Sequence, residues 1–130
     1  MISPTGKGIR VDRWGNGHYG APRGNSIHRG VDYICHPGQF AIAPKNGIIV
    51  REARPYGDSQ KYSGLLLRAD ALEIKLFYVR PYDYLIGKPV KQGAVVGTCQ
   101  DISKRYDEKM IPHVHMEIVS VDPEVFVRML

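Results

Sequence analysis

A chain of 130 residues holds one hydrophobic core rather than two, which excludes a multidomain enzyme. At 43% hydrophobic and 24% charged, with 14 Gly and 9 Pro, it can bury a core but is punctuated by turns too often for long helices. A formal charge of +5 favours acidic partners such as a nucleic acid, an anionic cell wall or a membrane surface, without choosing among them.

Residues 1–27 carry glycines at 6, 8, 15, 17, 20 and 24 with Pro4 and Pro22, and predict an irregular leading segment wrapped on a single domain that spans 1–130. Met1 to Arg13 lacks the apolar run of a signal peptide, and no stretch approaches the ~20 apolar residues of a membrane span. No membrane insertion is expected, and any export takes a route that needs no signal. From Gly30 the pattern changes. Val31–Cys35, Gln39–Ala43 and Gly47–Glu52 are β-prone runs separated by His36-Pro37-Gly38 and by Asn46-Gly47, pairs that make turns. Tyr62–Arg68 and Leu72–Val79 predict a hairpin about Ala69-Asp70, and Val90 with Gly93–Cys99 adds another strand. Asp101–Lys109 is polar and predicts one short helix capped by Asp101 or Ser103, ended before Pro112. His113–Val119 is strand-like, and Asp122-Pro123-Glu124 predicts a last helical turn carrying Val125, Phe126 and Met129 against the body. The sum is a mainly β, antiparallel domain with little helix. Its two cysteines, Cys35 and Cys99, lie in apolar runs and read as buried free thiols, a single bridge being the alternative.

Two clusters carry chemistry: His28 with Asp32, and His113 with His115. Alternation along a strand projects His113 and His115 to one face, roughly 6–7 Å apart at the backbone, close enough to address one small site. Asp32 opens its strand with Val31, Tyr33 and Cys35 facing the other way, and His28 reaches in across Gly30. Two imidazoles and one carboxylate suit Zn²⁺, and three protein ligands leave a fourth tetrahedral position open. A His-x-His pair alone is more often a cross-strand pair than a ligand set; the complementary ligand types and the Gly and Pro flanks raise the joint case.

The ordered series His28-x-Gly30-x-Asp32, Ala41-x-Ala43-Pro44-x-x-Gly47-x-Ile49, Val90-x-x-Gly93-x-x-x-Gly97 and His113-x-His115-x-Glu117 resembles the lysostaphin-type (LytM-like) zinc metallopeptidases, which cut peptide cross-links of peptidoglycan. The resemblance covers about residues 24–119. Within that superfamily His28-x-Gly30-Val31-Asp32-x-x-Cys35, Pro55-Tyr56, Phe77-Tyr78-x-x-Pro81 and His113-Val114-His115-x-Glu117 are similar to the leukocyte cell-derived chemotaxin branch, which keeps the zinc fold and is regarded as lacking peptidase activity. The resemblance implies a compact antiparallel sheet domain, one Zn²⁺ held by His28, Asp32 and His115, and a catalytic His113. It also exposes one departure. Active members carry a second histidine in a Tyr-x-His motif, where this chain has Tyr78-Val79-Arg80. Arg80 cannot act as a base at neutral pH, but a guanidinium near the metal can stabilise an oxyanion; solvent exposure is the alternative.

Glu117, two residues beyond His115, is placed to hydrogen-bond a ligand histidine, and Tyr78, His18 and Tyr19 are candidates to line the groove. The basic residues are scattered, which disfavours nucleic acid. These expectations converge on a monomeric zinc endopeptidase acting on peptidoglycan peptides, delivered to the wall or periplasm as a phage component or a secreted toxin. The rival is a catalytically silent zinc-containing binding protein of the chemotaxin kind.

Overall fold

Leu65, Leu66 and Leu67 are all buried, and a strand buried on both faces must lie inside its sheet. The computed structural model describes residues 1–126, except for the side chains of Val125 and Phe126. In chain order its strands are β1 (Val11–Asp12), β2 (Gly15–Asn16), β3 (Pro22–Arg23), β4 (Ser26–Ile27), β5 (Val31–Ile34), β6 (Phe40–Ile42), β7 (Gly47–Ala53), β8 (Gly64–Ala69), β9 (Leu72–Phe77), β10 (Val79–Pro81), β11 (Pro89–Val90), β12 (Val95–Cys99) and β13 (His113–Val121). The leucine run belongs to β8, third in a six-stranded antiparallel sheet of order β11-β7-β8-β9-β13-β5. A second sheet, β10-β12-β6, packs on one face of it.

The period-two pattern decides which face. Ile49, Leu65, Leu67, Ile74, Leu76 and Val114 point into the space between the sheets, against Ala41, Val79 and Val96 of the smaller one. Each such side chain contributes roughly 1.5–3 kcal/mol by leaving water. The alternate positions, among them Asp32, Phe77, His113 and His115, fall on the opposite face, where the site is built.

The leading segment holds more order than its glycines predict. Its four two-residue strands form two miniature ladders, β1-β2 and β3-β4, and its backbone bonds to the outer edge of β5, with Arg10 N donating to Asp32 O and Asp32 N to Gly17 O. Gly17 is required there, because a Cβ would come within 2.9 Å of the Arg10 carbonyl oxygen. The expected 72–79 strand is divided in two. Tyr78 adopts a left-handed φ of 70°, and the amides of Tyr78 and Val79 both donate to the Ser63 carbonyl, the signature of a bulge. The helix expected over 101–109 is only a 3-10 turn, Ile102–Lys104, capped by Asp101 accepting from Ser103 N; the polar residues after it lack an apolar stripe to hold a longer helix down. A further 3-10 turn, Pro123–Phe126, stands where the last helical turn is expected, while the packing of Val125, Phe126 and Met129 lies outside the described residues. Among the described residues no helix is long and apolar enough to cross a membrane.

Candidate metal centre

Register assembles the centre. On the antiparallel pair β5-β13, His115 is the cross-strand partner of Asp32, and on the other side of β13 it faces Phe77, whose ring stacks on the imidazole at 6.0 Å between centroids. His28 reaches the same point from the loop before β5, passing Gly30, where a Cβ would lie 2.6 Å from the His115 ring.

Three ligand atoms converge. His28 Nε2 is 3.1 Å from both Asp32 Oδ1 and His115 Nδ1, and His115 Nδ1 is 2.9 Å from Asp32 Oδ1. Ligands about 2.0–2.1 Å from a tetrahedral Zn²⁺ stand about 3.3 Å apart, so this triangle has nearly the edge length of such a shell. The outer nitrogens set the tautomers. His28 Nδ1 donates to the His18 carbonyl at 3.1 Å, and His115 Nε2 to Glu117 Oε1 at 3.0 Å. Without an ion, a proton on His115 Nδ1 bridges to Asp32 Oδ1; a cation in the triangle would replace that proton and meet three lone pairs, with both outer nitrogens still held. The residues therefore fit Zn²⁺.

The remaining carboxylate oxygen has its own partners. Arg10 Nη2 donates to Asp32 Oδ2 at 3.1 Å, and Arg10 Nη1 donates to Asp12 Oδ1 at 2.7 Å. Asp12 in turn accepts the amides of Trp14 and Ile111, tying the leading segment to the loop before β13. Burial would raise the Asp32 pKa, but the hydrogen bond from His115 and the neighbouring imidazoles hold it down at about 2. For His115, burial is outweighed by its bonds to Asp32 and Glu117, and the pKa lies above the ordinary imidazole value.

His113 stands beside the triangle rather than in it. Its Nδ1 donates to the Ile111 carbonyl at 2.8 Å, and its Nε2 faces Asp32 Oδ2 at 3.6 Å. Burial depresses its pKa, so it is neutral at pH 7. Tyr78 meets it edge-on at 5.5 Å between ring centroids, because the bulge turns Phe77 and Tyr78, consecutive in sequence, toward the same side. The Tyr78 phenol is pushed up to about 12 by burial.

A cleft of about 380 Å³ opens over these groups, lined also by Trp14, Met110, Tyr78 and Tyr106 and by the guanidinium-bearing Arg10 and Arg23. Three expected residues are absent from it. Arg80 is exposed and reaches the Lys61 carbonyl at 3.4 Å, in a separate hollow with Glu52 and Asp83, so it cannot serve an oxyanion at the metal. The bulge is the cause: one residue spent at Tyr78 puts Val79 in the core and Arg80 outside. His18 contributes only its carbonyl, its side chain being exposed. Tyr19, 68% exposed, lies with Met116 and Ile118 in another hollow. Conversely, Arg10, Arg23, Trp14, Tyr106 and Met110 have no local pattern that announces them.

The fold and the sequence agree on kinship. No family model matches the chain. It is 33% identical over 117 residues to leukocyte cell-derived chemotaxin-2 of Mus musculus and 32% identical over 117 residues to that of Bos taurus, covering 88% of this chain and 76% of each relative. Its fold is that of lysostaphin, with a TM-score of 0.61 to the solution structure at 21% identity, covering 83% of this chain and 45% of that one. The catalytic domain of the antimicrobial peptidase lysostaphin from Staphylococcus simulans gives a TM-score of 0.53 at 25% identity, covering 86% and 87%. The chain thus belongs to the leukocyte cell-derived chemotaxin-2 family, built on the lysostaphin-type antiparallel fold.

Proposed function

We propose that the chain is a single-metal hydrolase of peptide amides, acting on the stem peptides or cross-bridges of bacterial peptidoglycan. The observation that carries this reading is the orientation of His113, whose Nδ1 is held by the Ile111 carbonyl while Nε2 remains a free acceptor at the cleft. Zn²⁺ bound by His28, Asp32 and His115 would supply Lewis-acid polarisation of the scissile carbonyl. His113, kept neutral by burial, takes the proton of the attacking water and returns it to the leaving amine. Tyr78, with its phenol at about 12, keeps its proton at neutral pH and is a donor suited to the oxyanion. Glu117 and Arg10 hold His115 and Asp32 in position. The peptidase kinship of the fold supports the reaction class, and the +5 charge suits an anionic wall. Such a substrate requires delivery to the wall or periplasm.

One observation favours a second reading, a metal-bearing recognition domain without turnover. A phenol, and not a second imidazole, faces His113, and the chain's family is that of the chemotaxin. The two readings separate on turnover. Zinc-loaded protein incubated with peptidoglycans of different cross-bridge chemistry should release new free amines, and chelator or His113→Ala should abolish the release. No release from any wall by metal-replete protein would replace hydrolysis with recognition.

A further inference from the structure

We propose that Cys35 and Cys99 are a disulfide pair, a covalent modification site that closes when the folding chain meets a disulfide oxidant. They are the chain's only cysteines, and both are buried between the two sheets, at 2% and 3% exposure. The backbone brings them together. After β5 the chain turns through 36–39, where Gln39 N donates to the His36 carbonyl at 3.0 Å and Gln39 Oε1 accepts the His36 amide at 2.7 Å. This turn lays the strand back on Cys99, with Gly38 N donating to Cys99 O and Cys99 N to Gln39 O, both at 2.8 Å. Cys35 is pinned from the other side by its amide bond to the Pro112 carbonyl at 3.0 Å. The two side chains thus face each other within one apolar cluster, beside Ala41, Val79 and Val114.

Both cysteines are free thiols in the structure, and two further observations suit them to joining. Interaction between the two thiols raises Cys35 and lowers Cys99, and the ammonium of Lys7, anchored on Gln39 Oε1 at 2.8 Å, adds to the lowering at Cys99. In the folded pair Cys99 is therefore the more readily ionised sulfur. No His, Asp or Glu among the described residues joins the two sulfurs in a three-ligand group, so the sulfurs have each other as partners.

With a small-molecule disulfide such as oxidised glutathione, the chemistry balances. Either thiolate, for instance that of Cys99, attacks one glutathione sulfur, forming a mixed disulfide and releasing one glutathione thiol. The Cys35 thiolate then attacks the Cys99 sulfur, forming the protein disulfide and releasing the second glutathione thiol. The two protein thiols lose two electrons and two protons, and one glutathione disulfide becomes two thiols. Because both sulfurs are buried in the finished fold, the exchange takes place during folding, before the sheets close. The resulting bond ties the end of β5, three residues beyond Asp32, to β12 of the smaller sheet.

The test refolds the full chain from denaturant in an oxidising glutathione buffer, and in parallel in excess dithiothreitol, with alkylation by N-ethylmaleimide under denaturing conditions. The oxidised sample should take up no N-ethylmaleimide, weigh two hydrogens less, give a linked Cys35–Cys99 peptide, and melt on the order of 10 °C above the reduced one. Cys35→Ser and Cys99→Ser should each leave the other thiol free or glutathionylated, and the double Cys35→Ala/Cys99→Ala variant should melt identically with and without reductant. Two N-ethylmaleimide adducts per wild-type chain, glutathione adducts in place of the linked peptide, or the same reductant-dependent shift in the double variant would each overturn the proposal.

Discussion

Arg10 and Asp32 form a buried ion pair behind the metal triangle, with the guanidinium 3.1 Å from the carboxylate oxygen that the imidazoles leave free. Both side chains are about as enclosed as the apolar core, at 4% and 3% exposure, so removing one partner strands the other charge away from water. Arg10→Met should therefore cost about 3–5 kcal/mol in urea unfolding of the metal-free protein. It should also weaken zinc binding, because Asp32 loses the contact that fixes its plane. An unchanged unfolding midpoint together with an unchanged zinc affinity would show that the pair does neither.

Asp12 supplies a pH dependence of definite sign. Burial pushes its pKa up, but the Ile111 amide, then Arg10 and the Trp14 amide, more than reverse this and leave it below the usual carboxylate value. A carboxylate depressed on folding stabilises the fold above its unfolded pKa of about 3.9 and ceases to as the pH falls through the lower folded value. The urea midpoint of the wild type should thus fall between pH 5 and pH 3 more steeply than that of Asp12→Asn. Parallel curves would remove Asp12 from the balance.

Ligand and non-ligand histidines should part company under substitution. His28→Ala and His115→Ala each delete one corner of the triangle and should lower zinc affinity at least tenfold to a hundredfold, the range seen even for the outer partners of such ligands. His113→Ala should keep one zinc per chain by elemental analysis while losing amide cleavage by about 10²–10⁴-fold. Loss of zinc from His113→Ala would reassign the ligands.

Tyr78 and Arg80 can be told apart by turnover. Tyr78→Phe removes the phenol hydroxyl that lines the cleft beside His113 and should lower amide release from peptidoglycan by about 10²–10³-fold. Arg80→Ala, altering an exposed side chain in another hollow, should leave release within a factor of two and stability within about 0.5 kcal/mol. A large loss on Arg80→Ala would mean that this hollow takes part in binding the substrate.

Much of the centre was legible because it rests on strict alternation. His113 and His115 on one strand, and Asp32 alone of its neighbours on the other, follow from a period of two that the register then respects. Arg80 is a candidate only through the resemblance, which expects Tyr-x-His at Tyr78-Val79-Arg80, and nothing in Phe77-Tyr78-Val79 marks the left-handed residue that turns position 80 away, as a glycine or asparagine would. Arg10 was invisible on other grounds: its partners are 2 and 22 residues away and meet it only through the folded edge of β5, so no local spacing encodes them. The strands of the leading segment are two residues long, below the length at which any periodicity can register.

The β5-β13 register joins residues from opposite ends of the sequence, His28 and Asp32 to His113 and His115, and the Asp12 carboxylate closes the same loop by holding the Ile111 amide. The metal triangle therefore exists only once the last strand has docked beside the fifth, long-range pairing that belongs to the late stages of folding. A metal ion seated in the triangle would therefore report a completed register, because an incomplete or misregistered fold offers it at most two of the three ligands.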